Sequence, residues 1–146
     1  MRITGIEIHP LRIPLKGVFR NAHDTKTRQD SVVVCVRTDE GVTGVGNVDP
    51  DPGHSEESFD QTLKALRTLA PGLTGSDPLN LSAALELMDR CLPRHLDAKA
   101  AVEMALFDLK GKALDQPVHS LLGGRLKDEV LLNGWIGLLE PDEAAR

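Results

Sequence analysis

The chain has 146 residues, 40% hydrophobic and 27% charged, with a formal charge of -5, which is the balance of one globular domain of ordinary size. Three Phe, one Trp and no Tyr imply an aliphatic core and argue against stacking platforms for bases or sugars. The acidic balance, without a basic run, argues against nucleic acid as the main partner, and no apolar stretch is long enough to span a bilayer.

The opening residues, "MRITGIEIHPLRIPL", alternate and lack the continuous apolar core of a signal peptide, which leads us to expect a cytoplasmic protein with no membrane partner. In that compartment Cys35 and Cys91 are expected to be reduced, buried thiols. Residues 2–15 alternate around Ile3, Ile6, Ile8, Leu11 and Ile13, with Pro10 and Pro14 limiting the pairing, as in an edge strand. Residues 16–30, "KGVFRNAHDTKTRQD", are polar and aperiodic and read as a long loop of the kind that often carries function. Strands are predicted at 31–38 and 42–48. The "DEG" between them suits a three-residue hairpin with Gly41 in the left-handed position. "DPDPG" at 49–53 then breaks the chain.

Three helices follow. The first is expected to begin at Ser55 as N-cap, with Glu56 and Glu57 in its first turn. Its stripe is Phe59, Leu63, Leu66 and Ala70, and it should stop at Pro71 and Gly72. The second should start at Asp77 and Pro78, with Leu81, Leu85, Met88 and Leu92 as its stripe. The third is predicted from an Asp97 cap to about Leu114. Pro117 and "LLGG" at 121–124 make a turn and a stop. "VLLNGWIG" then reads as a strand and "PDEAAR" as a helix start.

The third helix places Glu103 and Asp108 among apolar residues. On a wheel of roughly 100° per residue they stand about 140° apart, so they share neither a proton nor a metal. Ala98, Ala101, Val102, Ala105, Leu106, Leu109 and Ala113 form one apolar face, and Ala100, Met104, Phe107, Gly111 and Leu114 form a second. A helix apolar on two faces needs cover on both. Glu103 lies in a polar seam with Lys99 and Lys110, and Asp108 in one with Lys112 and Asp115.

Other motifs weigh less. "GVTGVG" at 41–46 lacks the Lys-Ser/Thr of a P-loop and opens no helix directly, which favours turn and bulge glycines. "NVDPDPGHSEES" at 47–58 clusters acids, but a calcium loop starting at Asp49 needs Gly at 54 and Glu at 60, where the chain has His54 and Asp60. His54 still stands in a loop before a helix N-terminus, where anions bind. Arg20, His23, Lys26 and Arg28 give a locally positive segment that could meet a carboxylate. His9, His95 and His119 stand alone, the cysteines have no metal-ligand spacing, and no G-x-S-x-G or Cys/His nucleophile pattern is present.

The run "AKAAVEMALFDLKGKALDQPVHSLLGG", residues 98–124, resembles the signature of the mandelate racemase/muconate-lactonizing group of the enolase superfamily. The preceding order of edge strand, long loop, hairpin, proline-rich loop and helices is similar to that group's N-terminal capping domain. The resemblance implies an α+β fold: a three-stranded antiparallel meander followed by a helical bundle, enolase N-terminal-domain-like, plus the first strand of a (β/α) barrel. It implies a capping unit over residues 1–125, with 126–146 opening the barrel.

In that family the barrel carries the acidic Mg²⁺ ligands and the acid/base residues that remove a proton next to a carboxylate, while cap loops exclude water and choose the substrate. By resemblance, the first cap loop covers Phe19, Arg20, Asn21 and His23. The second covers Val48, Asp49, Asp51 and His54, and Trp135 lines the pocket from the first barrel strand. No catalytic residue or metal ligand is expected in this chain itself, since a barrel needs roughly 250 residues and about twenty follow Gly124. The expectation is therefore a fragment of a Mg²⁺-dependent racemase, epimerase or cycloisomerase acting on a small carboxylate, homo-oligomeric as a whole. An acid-sugar or hydroxy-acid dehydratase is the alternative inside the superfamily, and a stand-alone binding or interaction module the alternative outside it.

Overall fold

The computed structural model describes residues 1–20, 25–51, 55, 57–132 and 141–144. Its strands are β1 (Ile3–Arg20), β2 (Thr25–Thr38) and β3 (Thr43–Val48), and its helices α1 (Phe59–Leu73), α2 (Leu81–Cys91), α3 (Leu96–Leu114), α4 (Val118–Leu121) and α5 (Pro141–Ala144). The strands form one antiparallel sheet in the order β1-β2-β3.

The hydrophobic alternation of β2 decides the sheet's orientation. Val32, Val34 and Val36 are fully buried, while Val33, Cys35 and Arg37 between them face the other side, as a period of two requires. Ile6, Ile8 and Pro10 lie opposite Val36, Val34 and Val32. On the other flank, Gly44, Gly46 and Val48 lie opposite the same three valines. That face receives the helices. Leu63, Leu66 and Leu69 of α1, Met88 of α2 and Val102, Leu106 and Leu109 of α3 join the valines in one aliphatic core. Pro10 and Pro14 fall at positions of the same parity, so one side of the edge strand carries both missing donors, which an edge tolerates.

The glycines of 41–46 have different reasons. Gly41 sits at φ +79° in the hairpin, as a left-handed turn position favours. Gly44 and Gly46 are not bulge residues. A Cβ on Gly44 would lie 2.0 Å from the Ala105 carbonyl oxygen, and one on Gly46 2.1 Å from that of Ala101. The backbone of β3 therefore rests directly on the small-residue face of α3.

Several boundaries differ from the sequence reading. Residues 16–30 are not one long loop: β1 runs on to Arg20 and β2 starts at Thr25, with a register shift between Pro14 and Phe19. Pairing with an already formed ladder carries these polar residues into the sheet. The cap of α1 is Ser58, not Ser55, and a reciprocal capping box joins Ser58 and Gln61. The helix also continues through Pro71 to Leu73, which is fully buried. Burial of that leucine outweighs one missing N–H near a helix end. Asp77 makes a turn by accepting from the Leu79 N–H, and Asn80 caps α2. His95, in the left-handed region at φ 55°, takes the N-cap position of α3.

The two faces of α3 are not equally covered. Ala98, Ala101, Val102, Ala105, Leu106 and Leu109 are buried, whereas Met104 and Leu114 are exposed. Cys35 is half-buried but Cys91 is exposed, so the expectation of two buried thiols fails at Cys91. Residues 130–132 join no ladder and are exposed, and the rest of the strand expected at 130–136 lies outside the described residues. No described helix is long and apolar enough to cross a membrane.

Candidate functional site

The candidate site forms where the far end of the first hairpin meets the segment leaving β3. Phe19 and Arg20 pair across the ladder with Lys26 and Thr25, so the sheet itself carries the first loop. Val48 ends β3 opposite Val32 and is half-buried. Asp49 follows and accepts from the Asn47 side-chain amide at 3.5 Å. Asn21, His23, His54 and Trp135 lie outside the described residues.

Lys26 and Asp51 join the two segments. The Lys26 ammonium donates to Asp51 Oδ1 at 2.5 Å, with the lysine side chain 14% exposed and the aspartate 30%. Asp51 is held in turn by its own segment, since its carbonyl accepts from the Ser55 N–H at 2.8 Å and its N–H donates to Ser55 Oγ at 3.3 Å. Beside this pair lies a cavity of about 340 Å³, lined by residues 25–30 and Pro50. Arg28 meets Asp30 Oδ1 at 3.2 Å. Arg12 approaches the same oxygen at 3.8 Å and lies over the Phe59 ring at 5.5 Å. Of the cations expected to meet a carboxylate, Lys26 and Arg28 thus have acidic partners within the chain, and Arg20 is exposed.

Glu57 is not the first-turn acid of α1 that the sequence suggests. It is 5% exposed and ties the end of the second segment to α3. Its Oε1 accepts from the Asp97 N–H at 3.1 Å. Its Oε2 accepts from the Thr62 hydroxyl at 3.2 Å and lies 3.3 Å from His95 Nδ1. The carboxylate thereby supplies the N-terminal acceptor that His95, with no side-chain cap bond, does not. The sequence carries a faint signal for this: the S-x-x-Q box at 58–61 moves the cap past Glu57 and places that acid outside the helix.

Glu103 and Asp108 remain separate, as the wheel requires. Asp108 Oδ2 accepts from the Val45 N–H at 2.8 Å and from Lys112 at 2.6 Å. Lys99 pairs with Asp89 of α2 rather than with Glu103, and Lys110 donates to the Leu79 carbonyl. Among the described residues no group of three or more His, Cys, Asp or Glu side chains could hold a metal ion. Asp51, the acid at the centre of the site, is paired with a lysine. These residues do not fit Mg²⁺.

Comparison with known proteins gives a consistent answer. The family model "Mandelate racemase / muconate lactonizing enzyme, N-terminal domain" matches residues 3–123. The N-succinyl-L-Arg/Lys racemase of Bacillus cereus is 34% identical over 99% of this chain and 40% of its own length, and its crystal structure superposes with a TM-score of 0.95. A cis-3-hydroxy-L-proline dehydratase of Roseibium aggregatum is 36% identical over 100% of the chain and 41% of its own length. A dipeptide epimerase from Cytophaga hutchinsonii, solved with Mg and the dipeptide D-Ala-L-Val, is 29% identical with a TM-score of 0.92 over 99% of the chain and 39% of that structure. The chain thus spans about two fifths of the length of the curated relatives it matches.

Proposed function

From its membership of the mandelate racemase/muconate lactonizing enzyme family, to which this chain belongs through its N-terminal domain, we propose that it caps a Mg²⁺-dependent racemase, epimerase or cycloisomerase. The whole enzyme removes the proton alpha to a carboxylate on a small substrate, an N-acyl amino acid or dipeptide being the first class to try. One observation carries this reading: correspondence with a racemase over 99% of the chain at a TM-score of 0.95. Residues 1–125 are the capping unit and 126–146 the opening of a barrel that holds the metal and the acid/base groups. We place the complete protein in the cytoplasm as a homo-oligomer.

The cap's part is to exclude water and select the substrate. Phe19, Arg20, Asn21 and His23 serve from the first loop, Val48, Asp49, Asp51 and His54 from the second, and Trp135 narrows the pocket from the barrel side. Trp135→Ala in the full-length enzyme should change relative rates across substrates. The activity is tested by incubating that enzyme with N-succinyl amino acids and dipeptides in D₂O. Deuterium should enter the alpha position with loss of optical purity. Loss of water from a hydroxylated substrate, without isomerisation of any substrate offered, would move the protein to the dehydratases. The absence of both reactions, together with no interconversion of a muconate and its lactone, would remove the reading. Titration calorimetry of residues 1–146 alone should show no stoichiometric Mg²⁺ binding.

A further inference from the structure

The ion pair between Lys26 and Asp51 has a property that neither residue shows alone. Lys26 stands just after the first candidate loop and Asp51 at the base of the second, 25 residues apart in sequence. Lys26 belongs to β2 and is fixed by its rung with Phe19. Asp51 belongs to a coil segment that leaves the sheet after Val48, where among the described residues its local support is the reciprocal pair of bonds with Ser55.

With only 14% of its side chain exposed, Lys26 has little room to turn its ammonium elsewhere, and the Asp51 carboxylate supplies a counter-charge where it stands. Among the described residues, a charge-assisted bond thus fastens the second segment to the sheet. We propose that Lys26 and Asp51 are paired positioning residues: a latch that makes the bases of the two loops one mechanical unit, so that substrate choice belongs to the loops jointly. The part concerning substrate rests on the functional reading above; the mechanical part does not.

The physical test is amide hydrogen exchange on the full-length protein. Residues 25 and 26 report the first segment, and Ser55, whose N–H is donated to the Asp51 carbonyl, reports the second. Lys26→Met should speed exchange at Ser55 as well as at 25 and 26, by roughly three- to tenfold, and Asp51→Asn should speed exchange at 25 and 26. The double variant should be no faster than either single one. The charge swap Lys26→Asp with Asp51→Lys should return exchange toward the original rates. Amides of α3 monitor the global fold in every variant. Single variants that loosen only their own segment, or a double variant whose effects multiply, would overturn the latch.

The exchange readout needs no turnover, so it can succeed where the enzymatic proposal fails. If both hold, Lys26→Met and Asp51→Asn should change the ratio of kcat/KM values between an N-succinyl amino acid and a dipeptide in the same direction, and the charge swap should restore it. Equal losses on both substrates would reduce the pair to a structural role.

Discussion

Gly44 and Gly46 leave no space between β3 and the helix above it. An added methyl at either would meet carbonyl oxygens of α3 near 2 Å, and backbone cannot rotate aside as a side chain can. Gly44→Ala and Gly46→Ala should each cost roughly 3 kcal/mol, lowering Tm by about 5–10 °C. Gly5→Ala, whose added methyl would have nothing within 4 Å, should leave Tm nearly unchanged in the same thermal melts. A second residue-scale effect depends on pH. On the exposed face Arg37 donates to Glu7, and that hydrogen bond holds the Glu7 carboxyl below its ordinary range. A lowered folded value means that the pair stabilises above the unfolded carboxylate's pKa, and that this is lost as pH falls through the folded value. The difference in stability between the parent and Arg37→Gln should therefore shrink in acid and also in high salt. The glycines are visible in the sequence as a cluster, but their reason is not: the atoms they make room for lie about sixty residues further along the chain.

At the scale of elements, α3 acts as a substitute neighbour for the open edge of β3. Asp108 accepts from the Val45 N–H and Lys112 donates to the Thr43 carbonyl at 3.0 Å, so two side chains one turn apart satisfy groups that a further strand would otherwise bond. Asp108→Leu should cost about 1–2 kcal/mol through the unpaired N–H and promote association in light scattering. Asp108→Asn, which keeps an acceptor, should do much less. The acids' separate seams are legible from helical spacing, and so is the hairpin with Gly41. The caps are less so. Ser55, Asp77 and Asp97 all have the right chemistry for an N-cap, yet Ser58, Asn80 and His95 hold the position. In two cases the suitable side chain is used elsewhere, Ser55 on Asp51 and Asp77 on its own turn, while Asp97 lies inside the first turn of α3, where its N–H takes Glu57 as acceptor. The extension of β1 and β2 is illegible because polar residues enter a ladder that their neighbours have already nucleated.

For the whole molecule, the uncovered surface is concentrated late in the chain. Met104 and Leu114 on the second face of α3 are exposed, as are Leu126, Leu131 and Leu132, the last three at 94%, 93% and 89%. A chain of residues 1–146 alone should self-associate in size-exclusion chromatography with light scattering, and replacing Leu131 and Leu132 with Asp should shift it toward monomer. The family is legible because one signature run, residues 98–124, builds the helix that organises the fold. The meeting of Lys26 with Asp51 is not, because no local pattern states which lysine a loop aspartate will reach. The close seating of β3 on α3 also has a kinetic consequence. Both hairpins, β1 with β2 and β2 with β3, can zip from contacts near in sequence, but Val45 must wait for Asp108, 63 residues later, and the loop-closure entropy has to be met first. The seating of α3 on the sheet should therefore follow the zipping of the sheet itself. Gly44→Ala, which disturbs that seating, should then raise the unfolding rate while barely slowing refolding, so the sheet that carries both candidate loops is assembled before the helix that braces it.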